Sequence, residues 1–271
     1  MLSKKDKQGL WLIGGVGLTA IALLVAIVAN GSKAKAGSDN CLGAVTASTV
    51  FVLDDSEEVS QQTRDAIVDR AMNHIRQHVA INERVTVFSI SDHSRSALHP
   101  EVSLCRPPEE GNRLTESVKS VRTKFQNNFE KPLREALKKE AGSGKESPIA
   151  QALTDISLTN YLRAPANTLV VFSDMLENTE KFTMYRCPAV NSVIAQYRTS
   201  RQGAQERPEF KNTKVVLNLV PRFNQSPVTL KCRDKFWPWF FGNNEGAKAS
   251  FEYDYLPGGT VAATAQTGMK Q

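Results

Sequence analysis

The sequence predicts an α/β fold, with a mostly parallel central sheet carrying helices on both faces and one transmembrane helix at the N-terminus. Three observations lead there. β-rich apolar runs alternate with helical patterns over residues 47–257, and that alternation builds parallel sheets covered on both sides. An uncharged stretch, LWLIGGVGLTAIALLVAIVA, fills residues 10–29. Four dispersed cysteines, Cys41, Cys105, Cys187 and Cys232, all follow that stretch.

A helix of twenty residues rises about 30 Å, the thickness of a bilayer core. A cleaved signal peptide is the competing reading, and Ala34-Lys35-Ala36 supplies a small-x-small site for it. The length favours a retained anchor, because a signal peptide's apolar region runs only about 7–15 residues. Lys4, Lys5 and Lys7 precede the span, whereas Lys33 and Lys35 follow it. With the terminal amine this leans toward a cytoplasmic N-terminus. The expected setting is a single-pass protein of an inner or plasma membrane, held in the lipid bilayer by residues 10–29, with its domain in the periplasm or extracellular space. No cysteine pair has C-x-x-C spacing. An even, dispersed set beyond a membrane span fits two disulfides in an oxidising compartment; four buried thiols in a cytosolic domain is the alternative.

The chain has 271 residues, 41% hydrophobic and 23% charged, which suits one globular domain with appendages. The reading is a short tail (1–9), the transmembrane helix (10–29), a linker leading into the first strand (30–46), the domain (47–257) and a flexible C-terminal tail (258–271). The net charge is +6, yet Lys and Arg are scattered, so there is no dense basic footprint for nucleic acid.

Within the domain, residues 47–53 (ASTVFVL) form a first strand buried on both faces. Residues 59–80 are helical, with Ile67, Ala71, Ile75 and Val79 at four-residue spacing. Residues 84–90 make a second strand. A third, 97–105, is shorter, and Pro100 demotes it to an edge. Residues 114–140 are a long helical region that Pro132 breaks or kinks. Ser147 is the expected N-cap, and Pro148 the first residue, of a helix running to Leu158. Strands at 168–172, 214–220 and 250–256 and helices at 190–201 and around 236–241 complete the pattern.

The first strand ends in FVLDDSEE, residues 51–58. Such a density of acid at a strand tip calls for something positive beside it. In doubly wound sheets, ligands bind beyond the carboxyl ends of the strands where strand order reverses. Ser147 and Ser173-Asp174 belong to the same end by the alternation. Carboxylates and hydroxyls converging there suit Mg²⁺ or another hard divalent cation. The competing reading is that Ser56, Ser147 and Asp174 merely cap turns and helices. Glu57 and Asp55 read as solvated acids favoured by a helix dipole.

These segments resemble a von Willebrand factor type A (VWA) domain over most of the chain. The resemblance implies a Rossmann-like sheet with a metal-ion-dependent adhesion site. Asp54 and Ser56 match its Asp-x-Ser-x-Ser motif, with Glu58 where the second Ser would stand. Ser147 in SPIAQAL matches its Thr, and Asp174 in VVFSDML its later Asp. The implied metal set is therefore Asp54, Ser56, Glu58, Ser147 and Asp174. Glu58 either ligates the metal itself or fills the place that a partner's acidic side chain takes. In this family the third strand runs antiparallel, which implies the pairs Cys41–Cys105 and Cys187–Cys232.

Phe236, Trp237, Trp239, Phe240 and Phe241 form an aromatic run. Phe236 and Phe240 read as core, while Trp239 stays open between core and contact surface. His74 and His78 lie one helical turn apart but lack a third metal-ligand pattern, so both read as surface. No G-x-S-x-G or P-loop occurs, and no small-molecule substrate is evident. The expected function is a membrane-anchored protein-interaction module of an envelope-associated assembly, not an enzyme. The alternatives are a metal-dependent phosphoesterase or nuclease using the same acids, and a component of a DNA-transfer or defence apparatus.

Overall fold

Strand-forming residues with alternating apolar faces assemble here into one six-stranded sheet of order β3-β2-β1-β4-β5-β6. The computed structural model describes residues 38–257, except 92–97, 112–116, 140–143, 203–206, 223 and 243–250. The expected transmembrane helix at 10–29, His93 and the tail 258–271 lie outside the described residues. Among the described residues, no helix is long and apolar enough to cross a membrane.

The strands are β1 (Ala47–Asp54), β2 (Arg84–Ile90), β3 (Pro100–Cys105), β4 (Ala166–Ser173), β5 (Thr213–Leu219) and β6 (Phe251–Tyr255). All neighbours are parallel except β2 and β3, which pair antiparallel. The edge strand β3 therefore runs as the resemblance implied. Pro100 sits at its start, facing Phe88 next to a register shift. A residue without an N–H is tolerated at such a place.

Successive strand side chains point to opposite faces, and β1 shows the result. Val50 and Val52 enter one core with Leu169, Val171, Ile149, Leu153 and Phe236. Phe51 and Leu53 enter the other with Ile67, Met72, Ile75, Phe129 and Leu133. The helices are α1 (Gln61–His78), α2 (Val118–Phe125), α3 (Lys131–Leu137), α4 (Ile149–Leu158), α5 (Val193–Arg201) and α6 (Pro227–Phe241). Ser60 caps α1 and Ser226 caps α6, each through its hydroxyl. His74 is half-buried rather than a surface residue, with its ring edge-on to Phe51 at 5.8 Å.

At Pro132, where a break or kink is expected, the helix continues but changes type. A π turn (Gln126–Glu130) joins α2 to α3, and the Lys131 N–H reaches back to the Gln126 carbonyl. Pro132 has no N–H to offer the Asn128 carbonyl four residues earlier. That carbonyl accepts instead from the Asn40 side-chain amide at 3.1 Å.

Both disulfides implied by the resemblance are present, Cys41–Cys105 and Cys187–Cys232. The first fastens the segment before β1 to the edge strand β3, where the Cys105 N–H also donates to Asp39 O. The second ties the loop after β4 to α6. Bridging Cys41 to Cys105 spans 64 residues of chain, so its loss frees a long loop in the unfolded state. The double substitution Cys41→Ala/Cys105→Ala is expected to cost about 2–4 kcal/mol. Thermal unfolding of the full chain checks this, with midpoints falling about 2–4 °C per kcal/mol.

Candidate functional site

Strand order reverses between β1 and β4. The chain leaves β1 toward β2 on one side and later returns through β4 toward β5 on the other. The crevice beyond the carboxyl ends of β1 and β4 is the topological switch point. Asp54 ends β1, and Ser173 ends β4 with Asp174 directly after it.

Around Asp54 the structure gathers three hydroxyls. Ser56 Oγ donates to Asp54 Oδ1 at 2.6 Å, Ser173 Oγ to Oδ2 at 2.7 Å, and Ser147 Oγ reaches both oxygens at 3.1–3.2 Å. The Ser56 N–H adds a fourth donor at 3.2 Å. Residues 93 and 119 positions apart in sequence from Asp54 thus meet on one carboxylate. Reciprocal backbone bonds between Ser147 and Asn178, at 2.7 and 3.1 Å, join the segment before α4 to the loop after β4. Gly144 N–H donates to Ser56 O at 3.1 Å and ties that segment to the β1 loop.

Asp174 lies opposite, buried. Its Oδ1 accepts from the Leu176 N–H at 2.8 Å, and its Oδ2 from Nε of Arg222. The other arm of that guanidinium pairs with Glu57. The Tyr185 ring lies under the guanidinium, 5.6 Å from Cζ to centroid, and its hydroxyl is 3.4 Å from Glu57. Arg222 belongs to the segment after β5, which backbone bonds fix from both sides: Val220 N–H to Ser173 O and Leu256 N–H to Leu219 O, each 2.9 Å. Burial pushes the Asp174 carboxyl up to about 6, with Arg222 opposing. For Arg222 itself burial works against the charge, but Asp174 and Glu57 outweigh it and the guanidinium is held above its ordinary value. Burial, followed by the charge on Asp174, likewise raises the Tyr185 phenol.

Of the five residues expected to hold a metal, Asp54, Ser56, Ser147 and Asp174 line one cleft, together with Glu57, Ser173 and Arg222. Glu58 is exposed and is not among the lining residues. The cleft's free volume is about 10 Å³, the scale of one water. Mg²⁺ keeps several waters when bound through one or two carboxylates. Here one carboxylate is already paired with a guanidinium, whose charge would oppose a divalent ion. As arranged, the donor set does not fit a hydrated divalent cation.

Two local expectations change. Ser147 is not the N-cap of α4. The N-cap position is Pro148, which makes no side-chain bond. Glu177 takes over, accepting from the Ala150 N–H at 2.7 Å, and the Ser147 hydroxyl turns to Asp54. Asp55 is buried rather than solvated, bonded to the Ser89 hydroxyl, and burial raises it to about 6. Glu57 is an ion-pair partner rather than a free acid.

Sequence reasoning missed Arg222, Glu177 and Tyr185. Arg222 carried a usable signal, since it stands three residues after β5 at the same rim. Glu177 and Tyr185 carried none, because only the folded loop after β4 brings them in. That loop is also held from α6. Met175 has φ 59°, a left-handed conformation costly for a non-glycine residue. Its carbonyl accepts from the Trp237 indole N–H at 2.7 Å, and the carbonyl of Asp174 accepts from Arg233 at 3.3 Å. In the aromatic run, Phe236, Trp237, Phe240 and Phe241 are core. Trp239 is half-buried, with the guanidinium groups of Arg198 and Arg207 within 5.3 and 4.8 Å of its ring centroid.

No family model matches this chain, and no curated protein matches it either. Among solved structures 92 chains match. One is the crystal structure of the human COPII-coat protein Sec24c, with 12% sequence identity and a TM-score of 0.38, the match covering 82% of this chain and 30% of that one.

Glu177 generates a testable pH dependence. It is fully buried, and burial pushes its carboxyl up to about 8 against the two helix N–H groups it accepts from. A carboxyl that binds its proton more tightly folded than unfolded makes the fold lose stability as pH rises. The window runs from the ordinary carboxylate range up to about 8. Glu177→Gln keeps an oxygen acceptor and removes the titration. Thermal unfolding is expected to show the variant melting at least about 2 °C above the parent at pH 8, with the difference vanishing near pH 4.

Proposed function

We propose that this chain is a membrane-anchored protein-interaction module, displaying a VWA-like domain in an oxidising compartment as part of an envelope-associated assembly. The observation that carries the reading is the build of the upper rim. Four loops converge on Asp54, Asp174 and Arg222, yet the cleft among them has room for about one water. Such a rim offers a partner a shaped, charged surface and offers a small substrate almost no cavity. The resemblance in motif order, the antiparallel edge strand and the two disulfide pairs support the VWA-like assignment. Two disulfides in a domain of this size support an oxidising compartment. The uncharged run at 10–29 supports the anchor and, through the lysine bias, the cytoplasmic N-terminus.

The exposed Glu58 lies on this rim without taking part in its internal bonding. Charge reversal there leaves the fold intact and alters only what approaches from outside. With the full chain retained in its own membrane, affinity capture is expected to recover a defined protein partner, and Glu58→Arg to lower that recovery about tenfold at unchanged melting temperature. Phosphoesterase or nuclease activity that Asp54→Ala abolishes would replace this reading with the enzyme. Salt-dependent DNA binding would replace it with a nucleic-acid role.

A further inference from the structure

We propose that Arg222 is the resident cation of the upper rim, pairing Glu57 and Asp174 beside Asp54 in the place a divalent ion would otherwise take. The inference concerns the charge at the rim and stands whether or not a partner binds there.

Three acids from two loops line this cleft with three serine hydroxyls. Left alone, such a set of oxygens is what a hard divalent cation takes. Carboxylates brought together out of water repel one another and must be protonated or compensated. The structure supplies the compensation in one side chain. Nε of Arg222 bonds Asp174 from the β4 loop, and its other arm bonds Glu57 from the β1 loop. The forked, planar guanidinium can serve two carboxylates at once, which a Lys ammonium does less well. Tyr185 covers one face of the fork.

The delivery of this cation is built in. Val220 N–H on Ser173 O and Leu256 N–H on Leu219 O hold the strand end. Val220 is buried beneath, 3% exposed. Two residues later the chain releases Arg222 over the switch point. Arg222 is only 15% exposed, and its partner Asp174 only 7%, so solvent screens this pair little. A divalent ion would have to expel the guanidinium before finding its ligands. Removing the guanidinium, by contrast, leaves three carboxylates and three hydroxyls around an emptied space. Arg222→Ala should therefore turn a site that does not take metal into one that does.

The experiment titrates full-length protein with Mn²⁺, following bound metal by the loss of the free-ion paramagnetic signal and following the melting temperature in parallel. The parent is expected to bind no equivalent of Mn²⁺ at millimolar concentration and to melt unchanged in EDTA. Arg222→Ala is expected to melt lower, to bind one equivalent at least tenfold more tightly than any binding by the parent, and to recover its melting temperature with Mn²⁺. Adding Asp174→Asn should abolish that gain. If Arg222→Ala does not fold while Arg222→Lys does, a positive charge is required at the position and the proposal stands. One equivalent of Mn²⁺ bound by the parent and lost in Asp174→Asn would overturn it. So would a folded Arg222→Ala that gains no metal, because the acids would then not form a cation site at all.

Discussion

Asp174 and Glu57 belong to different loops, and what joins them is the Arg222 guanidinium between them. The rim's arrangement depends on this bridge. Without it, Asp174 would keep a single backbone donor, the Leu176 N–H, in a place where burial already disfavours its charge. Breaking a buried pair by removing one partner typically costs about 3–5 kcal/mol, because an uncompensated charge stays behind. The bridge also connects the loops after β1, β4 and β5. Asp54 is satisfied differently, by hydroxyl and backbone donors alone. One site thus holds one acid by neutral dipoles and two acids by a full charge.

That division has a structural cost which α6 absorbs. To aim Asp174 into the cleft, the chain turns through a left-handed Met175. No solvent relieves the turn, since Met175 is fully buried. Instead α6 sends Trp237 and Arg233 to the carbonyls of Met175 and Asp174. The disulfide from Cys187 to Cys232 secures the later part of the same loop to the same helix. The aromatic run of α6 is therefore both core and support, with Trp237 as the residue where the two roles meet. A helix rich in Phe and Trp reads as packing, and only its indole N–H says otherwise.

Much of the frame was legible because its signals are periodic or positional. β2 matches its expected span in full, and β1, β4 and β5 lie within a residue or two. Each is a run of β-branched and apolar residues without a competing pattern. Pro100 marked the edge and Pro132 the place where the helix changes type, since a missing N–H acts wherever it sits. The acidic tip of β1, Ser147 and Asp174 were readable as one site through motif order. The capping of α4 was not. A Ser before Pro is a standard cap signal, and it failed because the buried Glu177 competes for the same N–H from a distant loop. Asp55 was misread for a related reason. Its neighbours in sequence are acids, but its neighbour in space is Ser89 on β2. Charge patterning along a chain says little about a residue whose fate is set by the adjacent strand.

The four acids at the tip of β1 occupy four different environments. Asp54 accepts hydroxyls, Asp55 is buried against β2, Glu57 pairs with Arg222, and Glu58 faces solvent. Among the described residues the Glu58 side chain makes no hydrogen bond or ion pair, so it is the most readily presented to an approaching surface. Arg222 supplies the positive charge for Glu57 and Asp174 from within the chain. Burial raises Asp174 at the rim, and Asp55 against β2, to about 6. If Asp174 gains a proton, its bond to Arg222 remains a hydrogen bond to a charged guanidinium, and Glu57 becomes the carboxylate that carries the ion pair.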